Sequence, residues 1–471
     1  MERRIKRIIA AIVLIVVIGT GIGVTAWYFT LPSGGAGANY VTPGVSGIPN
    51  NRIIKVGCLG DRGSIQGDGN WEGAWLAAYN VNTAGGVTIG NTTYYVGLVS
   101  EDTDESAAQL DVTIGVSAAN KIIHVDNAQY IVGGFRTEAL KSYLEVVMDA
   151  KKLFLGTGAS TDYFCQNVLD SYNRYKYWFR LMPINSTSLG GETIAYLAYL
   201  GGYLNYIYGT VYGTHNVTNV AILRENLDWT IPMDDALQDH LPLYGFNIVK
   251  DIAYPITATA DDFQSYMTQI KNAGADIIIP IISAQGGIYM MQKYAAVKPN
   301  AVVAGIDVQS QSSSFWDDSN GACQYETVMQ PLTRTNKTSL SIAYWDQFIA
   351  QFGHSPQYTA TGAYDAIHTL VYAINKTQSF NEDTLVAAIQ NITASHPLKD
   401  FSVSSPEMAF TKSHDVKAGW PYGVTLFAQW QKSGTGGRHV CVPDGGYVYP
   451  DSLVQVNDTY QIPSWVNASF F

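Results

Sequence analysis

Two successive runs of short apolar segments, each alternating with segments of helical spacing, limit the fold of this chain more than any other feature of its sequence. The first run extends from Ile53–Leu59 to Leu153–Leu155, and the second from Val220–Leu223 to Val302–Ile306. Strands that alternate with helices form a parallel sheet with helices on both faces. Because an irregular, Tyr-rich segment (162–177) separates the runs, the sequence predicts an α/β fold of two doubly wound parallel-sheet lobes joined by a hinge.

The loops that follow the predicted strands are the expected place for a ligand, because open parallel sheets bind ligands beyond the carboxyl ends of their strands. These loops are rich in glycine, hydroxyl and amide groups, which suit hydrogen bonding to a small polar molecule. They comprise residues 60–64, 133–137, 156–161, 224–229, 283–286 and 307–309.

Sequence patterns of catalysis and of nucleic-acid binding are missing from the 471 residues. The chain has no GxxxxGK[ST] loop, HExxH motif or GxSxG elbow, and its 8 histidines are scattered. A hydrolase on a similar α/β frame would need a nucleophile with a base in reach, and no recognisable pair occurs. The net charge of −11, with no basic patch interleaved with aromatic residues, argues against nucleic acid as a partner. We therefore predict a binding protein without a cofactor, a metal or an enzymatic activity.

The amino-terminal segment predicts attachment to a membrane. Residues Ile8–Phe29 are almost wholly apolar and uncharged, and about 20 such residues span a bilayer as a helix. The basic cluster Arg3–Arg7 precedes them, which places the tail in the cytoplasm and the rest of the chain outside the cell. A cleaved signal peptide is the alternative, although its apolar region is normally about 7–15 residues long. We expect residues 1–30 to form the tail and a single-pass anchor, and the Gly-, Pro- and Ser-rich residues 31–51 to form a flexible linker.

Sequons and cysteines bear on the same question of compartment. Eight Asn-X-Ser/Thr sequons predict an extracellular glycoprotein, and they lie at Asn91, Asn185, Asn216, Asn336, Asn375, Asn391, Asn457 and Asn467. The 4 cysteines form no CxxC pair. Cys58 lies in an apolar strand and is expected to be a buried thiol, whereas a disulfide between Cys323 and Cys441 is one pairing that the sequence leaves open.

Several short motifs, in a fixed order, resemble a known family. The opening Ile54-Lys55-Val56-Gly57 is followed by glycines and alanines from Gly67 to Gly86, and Phe179-Arg180…Pro183 comes later. Asp262-Phe263 with Gly274-Ala275-Asp276 and Phe352-Gly353…Pro356…Tyr364-Asp365-Ala366 complete the series. Residues 53–450 thereby resemble the type I periplasmic binding proteins of the branched-chain amino acid (Leu/Ile/Val) kind. The predicted anchor, the abundance of tyrosine and the sequons resemble those of family members from archaeal cell surfaces.

The resemblance implies two lobes joined by three crossings, near Phe179, Val328 and Phe401, that close on a ligand. The first lobe would comprise 52–180 and 329–400, the second 181–328 and 401–450, and a C-terminal tail 451–471. Proteins of this family work beside an ABC-type permease, so the implied partners are permease subunits and a small solute: an amino acid, an amide or a small acid. From the loops and the resemblance together we predict the ligand-binding residues Arg136, Thr137, Thr157, Gly158, Ala159, Ser160, Glu225, Trp229, Gln285 and Asp307.

Two of these residues carry specific expectations. Asp307 matches the acidic position that meets an α-amino group in the family. Arg136 replaces a small residue, and its planar fork can grip a carboxylate; an internal ion pair with Glu138, Glu101 or Asp102 is the alternative. A surface sensor or assembly protein that has kept the fold is the rival function, because fold alone does not set function.

Overall fold

The computed structural model describes residues 39–211, 216–455 and 460–468, with the side chains of all but 207–211 and 467–468. No helix within these ranges is both long enough and apolar enough to cross a bilayer. The predicted anchor, residues 31–38 of the predicted linker and the sequon at Asn457 lie outside the described residues.

The first run of elements builds a six-stranded sheet with the order β2-β3-β1-β4-β5-β6. All neighbouring strands are parallel except the β2–β3 hairpin. The strands are β1 (Ile53–Gly60), β2 (Val87–Ile89), β3 (Thr92–Asp102), β4 (Tyr130–Gly133), β5 (Leu153–Gly156) and β6 (Trp178–Arg180). The helices are α1 (Ile65–Thr83), α2 (Val112–His124), α3 (Thr137–Asp149), α4 (Tyr163–Asp170) and α5 (Tyr172–Tyr175).

The second run builds most of a seven-stranded sheet in the same way, with β7 between β8 and β9. Its strands are β7 (Asn219–Glu225), β8 (Asn247–Tyr254), β9 (Ile277–Ile282), β10 (Val302–Asp307) and β11 (Thr327–Gln330). Its helices are α6 (Ser186–Val211), α7 (Thr230–His240), α8 (Ala260–Ala273), α9 (Gly287–Val297) and α10 (Phe315–Asp318). The fully buried run Ile277–Ile282 is typical of a central parallel strand covered on both faces. Two lobes of parallel sheet are therefore confirmed.

The chain then returns to each lobe in turn. α11 (Ser341–Phe352), α12 (Tyr358–Thr377), α13 (Glu382–Gln390) and the short pair β12 (Leu398–Lys399) and β13 (Glu407–Met408) belong to the first lobe. The antiparallel strands β14 (Leu426–Ser433) and β15 (Gly436–Cys441) extend the second sheet, and α14 (Ser464–Ala468) follows. Gly73 lets α12 pack against α1, because a Cβ atom there would lie 2.0 Å from the carbonyl oxygen of Ala360.

Core membership locates the three passages between the lobes. Leu181 packs in the core of the first lobe and Met182 in that of the second, so the first passage lies between them. The second follows β11. The third lies further along the chain than the predicted Phe401, because Val416 still packs in the first core and Val424 is the next residue in the second.

The ends of the described chain are held in the lobes, which corrects two expected boundaries. Within the predicted linker, Val41 exchanges backbone hydrogen bonds with Leu98 (2.9 and 2.8 Å), and Asn82 Nδ2 donates to the carbonyl of Pro43 (2.9 Å). Residues 39–51 are thus attached to the first lobe. In the predicted C-terminal tail, Leu453 and Val466 are buried in the core of the second lobe. Hydrogen bonds therefore attach residues 39–51, and apolar burial attaches Leu453 and Val466, to the lobes.

The predicted Cys323–Cys441 disulfide is wrong, since both residues are free, buried thiols. Cys323 packs with Phe315 and Trp430 in one buried cluster of the second lobe, and Cys441 packs with Leu426 in another.

Thiol titration checks this arrangement. We expect the folded chain to react with a bulky disulfide reagent at none of its four cysteines on the timescale of mixing, because all four are buried. The chain unfolded without reductant should then release four equivalents. Two equivalents after unfolding would show a disulfide and contradict the structure.

Five of the predicted sequon asparagines are exposed, namely Asn91, Asn216, Asn336, Asn375 and Asn391. Asn185 differs, because its Nδ2 donates to Asp415 Oδ2 (3.1 Å) and to Asp162 Oδ1 at the first passage. A glycan on that nitrogen would have to displace these hydrogen bonds, so the prediction of a used site at Asn185 conflicts with the structure.

Candidate ligand-binding site

A pocket lies where the carboxyl ends of the two sheets face each other, and we call it the cleft pocket. It encloses about 570 Å³ between its walls, part of which is open to solvent. From the first lobe it takes Phe135, Arg136, Gly158, Ser160 and Tyr358; from the second lobe and the passages it takes Ile184, Leu189, Leu227, Trp229, Ser283, Ile306, Val308, Gln311, Met329, Pro331 and Thr425. The site is thus at the strand ends of both sheets, where parallel α/β folds bind ligands.

The lining of the cleft pocket is largely apolar, with a few polar groups that can donate hydrogen bonds. Trp229 is 7% exposed, and its Nε1–H has no acceptor within the described residues. Ser160 and Arg136 supply a hydroxyl and a guanidinium. None of the described side chains that line the pocket is a carboxylate. A ligand would therefore meet apolar walls and hydrogen-bond donors.

Arg136 occupies both of its predicted environments. Its Nε lies 3.4 Å from Glu138 Oε2, and its Nη1 donates to the carbonyl of Ala107 (2.9 Å), so the internal ion pair is formed. The same side chain lines the cleft pocket. Buried Glu105 holds this loop by accepting the backbone N–H groups of Phe135 (3.3 Å) and Arg136 (3.0 Å). Burial raises the pKa of Glu105 to about 7.

The structure brings four of the ten predicted ligand-binding residues to the cleft pocket: Arg136, Gly158, Ser160 and Trp229. Thr137, Thr157 and Ala159 are buried beside it without lining it. Thr157 Oγ1 donates to Asn70 Oδ1 (3.1 Å), and Thr137 Oγ1 has no partner within the described residues. These residues shape the loops from behind.

Glu225 is a positioning residue rather than a lining one. Its carboxylate accepts the backbone N–H groups of Ser283 (2.8 Å), Ala284 (2.8 Å) and Gln285 (2.9 Å) and the hydroxyl of Ser283 (2.7 Å). Burial raises the pKa of Glu225, and these hydrogen bonds oppose the rise. Its oxygens are thus already used, and Gln285 is held by its backbone instead of reaching the pocket.

Asp307 does not reach the cleft either, which corrects its predicted role toward an α-amino group. Its side chain is fully buried and turns into the space left by Gly287, where a Cβ atom would lie 2.0 Å from Asp307 Oδ2. Its neighbour there is the buried carboxyl of Glu326. Burial raises the pKa of Asp307 to about 7, and burial together with Asp307 raises the pKa of Glu326 well above its usual value.

Direct contacts between described residues cross the cleft and hold the lobes together. Lys141 Nζ lies 2.6 Å from Asp228 Oδ2, and the Asp228 N–H donates to Glu138 Oε1 (3.0 Å). Gln66 Nε2 donates to the carbonyl of Ser283 (2.7 Å). Tyr358 N–H donates to Gln311 Oε1 (3.0 Å), next to the cleft pocket. The described arrangement is therefore a closed one.

Removing one of these contacts should weaken ligand binding without touching the pocket. Gln66→Ala deletes a buried hydrogen bond made only when the lobes are closed, worth about 1 kcal/mol, so we expect an affinity loss of about fivefold. Isothermal titration measures it. Gln166→Ala is the matched control, because Gln166 bonds Asp170 four residues away in the same lobe. Equal affinities of the two variants would show that Gln66 does not support closure.

Comparisons with known proteins agree with this geometry. Among curated proteins, no sequence matches the chain. The fold resembles a solute-binding protein of an ABC transporter from Rhodopseudomonas palustris BisB5, solved with 3,4-dihydroxybenzoic acid, at 17% identity and a TM-score of 0.65 over 84% of this chain and 99% of that one.

Two further solved structures show the same fold. A putative branched-chain amino acid ABC transporter protein from Silicibacter pomeroyi has 16% identity and a TM-score of 0.66 over 88% of this chain and 99% of that one. A substrate-binding protein from Desulfitobacterium hafniense in complex with Leu has 16% identity and a TM-score of 0.59 over 82% of this chain and 100% of that one. Because the family model named periplasmic binding protein matches residues 53–414, the chain belongs to the periplasmic binding protein family, whose members bind solutes and are not enzymes.

Proposed function

We propose that this chain is the solute receptor of an ABC-type importer and that its cleft takes a small carboxylic acid with an apolar body and no α-amino group. The lining of the cleft pocket carries this proposal: apolar side chains surround the donors of Trp229, Ser160 and Arg136. These hydrogen-bond donors can pair with a carboxylate of the ligand, and a buried donor left without an acceptor costs binding free energy.

The positions of Asp307, which was expected to receive an amino group, and of Glu225, the other acidic residue among the predicted ligand-binding residues, support the absence of that group in the ligand. Asp307 is buried against Glu326, and the oxygens of Glu225 accept hydrogen bonds from Ser283 to Gln285. An ammonium group in the cleft pocket would therefore be desolvated without a carboxylate partner, which is unfavourable. Solute-binding proteins of this fold have been solved in complex with 3,4-dihydroxybenzoic acid, benzoate and 4-hydroxybenzoate, which are acids with an apolar ring and no amino group.

Thermal unfolding with matched ligand pairs tests the proposal. We expect 4-methylpentanoate to raise the melting temperature of the purified full-length chain more than leucine, which differs only by its amino group. Benzoate should do so more than benzylamine. A ligand at 100 times its Kd stabilises by about 2.7 kcal/mol, enough to detect. A shift with leucine alone would reject the ligand class, and no shift with any of the four would count against binding in this cleft.

We further propose that residues 8–29 anchor the protein in the cell membrane with the lobes outside, beside the permease, as an archaeal surface glycoprotein. The uncharged apolar run after a basic cluster and the five exposed sequon asparagines support this arrangement. Membrane fractionation with protease added to intact cells tests it. Protected lobes, or a mature chain that lacks residues 8–29, would contradict the anchor.

A further inference from the structure

A fully buried arginine lies behind the cleft pocket, at the end of β6. Arg180 is 0% exposed and does not line the pocket. Its Nη1 donates to three successive carbonyls of the loop that follows β5, those of Ala159 (3.1 Å), Ser160 (2.7 Å) and Thr161 (2.8 Å). One side chain therefore fixes the direction of three peptide groups next to the ligand site.

These contacts determine where the amides of the loop point. In a planar trans peptide the N–H is directed opposite to the carbonyl that precedes it. Because the carbonyls of Ala159 and Ser160 point to Arg180, the N–H groups of Ser160 and Thr161 point away from it. Neither N–H has a protein acceptor in the described part of the chain. Ser160 itself lines the cleft pocket.

The same guanidinium joins the loop to two passages between the lobes. Arg180 Nε and Nη2 lie 2.8 and 2.7 Å from the two carboxylate oxygens of Asp415, which lies where the third passage begins. Asp415 Oδ2 also accepts Asn185 Nδ2 (3.1 Å) from the first passage. The Ser186 N–H donates to the carbonyl of Ser160 (2.8 Å). The ion pair thus contacts the ligand loop and both segments that must move when the lobes open.

We propose that Arg180, held by Asp415, is a positioning residue of the cleft: it turns the Ser160 and Thr161 amides toward an acceptor group of the ligand and couples that loop to lobe closure. This inference rests on the proposed function, because it assigns the loop to ligand binding. The ligand group it fits is a carboxylate or another hydrogen-bond acceptor. Lysine cannot replace the arginine, since an ammonium lacks the fork that reaches the carbonyls and the carboxylate together.

Isothermal titration of full-length variants with 4-methylpentanoate and with benzoate tests the loop part of the proposal. We expect Arg180→Lys to lower affinity about 100-fold and Asp415→Asn about tenfold. Arg224→Lys is the matched control, because Arg224 pairs with buried Asp234 (3.0 Å) in the second lobe, outside the cleft pocket. The melting temperature of this control should fall, whereas its affinity should stay within twofold of the wild-type value. If Arg180→Lys also stays within twofold, the positioning role is overturned.

A measurement without ligand tests the coupling to the hinge. Spin labels at Val125→Cys in the first lobe and Leu243→Cys in the second report the distance between lobes; both sites are exposed, whereas the four native cysteines are buried. We expect ligand-free Arg180→Lys to show a broader, longer distance distribution than wild type and Arg224→Lys to match wild type. An unchanged distribution in Arg180→Lys would overturn the coupling. If no acid binds wild type, the proposed function fails while this measurement still decides the coupling.

Discussion

Asp307→Asn is expected to raise the free energy of unfolding by about 2 kcal/mol or more at pH 8 and to change it little at pH 4. Burial raises the pKa of Asp307 to about 7, from 3.8 in the unfolded chain. Below about pH 4 both states are protonated. As the pH rises toward 7 the unfolded chain releases its proton and the folded chain keeps it, so stability falls. A pKa difference of about three units between the two states corresponds to about 4 kcal/mol of lost stability. The uncharged amide of Asp307→Asn does not titrate, so the variant avoids that loss.

Chemical denaturation at the two pH values measures this difference, and Asp365→Asn is the control. Asp365 is equally buried, but its carboxylate accepts the hydroxyls of Ser402 (2.5 Å) and Ser404 (2.7 Å) and the N–H of Val403 (2.9 Å). An amide cannot accept all of these, so Asp365→Asn should destabilise the chain at both pH values. Equal destabilisation by Asp307→Asn at pH 4 and pH 8 would contradict a protonated pair.

Trp229→Ala is expected to lower the affinity for 4-methylpentanoate and benzoate about 100-fold. The substitution removes a nearly buried indole from the wall of the cleft pocket together with an Nε1–H that has no acceptor within the described residues. Truncation of a buried aromatic side chain of this kind commonly reduces the binding free energy by at least 2 kcal/mol. Isothermal titration gives the affinity directly.

Trp229→Phe separates the two contributions of the indole. Phenylalanine keeps most of the apolar surface and loses only the donor, so we expect a loss of about tenfold, as for a hydrogen bond to a charged acceptor. Trp71→Phe in the first lobe, outside the cleft pocket, is the matched control and should bind like wild type. A Trp229→Ala variant with wild-type affinity would show that the acid does not occupy this pocket.

The sequence predicted the two lobes and their facing loops because those follow from periodicity. The fully apolar segments, of which Ile277–Ile282 is the clearest, became buried strands, and the loops after them formed the cleft. The hairpin β14–β15 was missed, since its Gly-rich second strand has little alternating pattern.

The direction of individual side chains could not be predicted in the same way. Asp307 ends a strand as expected, but whether it faces the cleft depends on the hole left by Gly287, which only the packing of α9 creates. Arg180 was identified as part of a crossing motif, while its partner Asp415 is distant in sequence. Glu105 has no local signal either, because its role is to accept amides from the loop after β4. Contacts between distant segments decide these positions.

The central claim is that the cleft between the lobes, whose lining offers hydrogen-bond donors and no carboxylate, holds one small acid. Isothermal titration of the full-length chain with 4-methylpentanoate in competition with leucine tests it. We expect one molecule of 4-methylpentanoate per chain, at least tenfold tighter than leucine, with binding lost in Trp229→Ala. Tighter binding of leucine, or binding of the acid that survives Trp229→Ala unchanged, would contradict it.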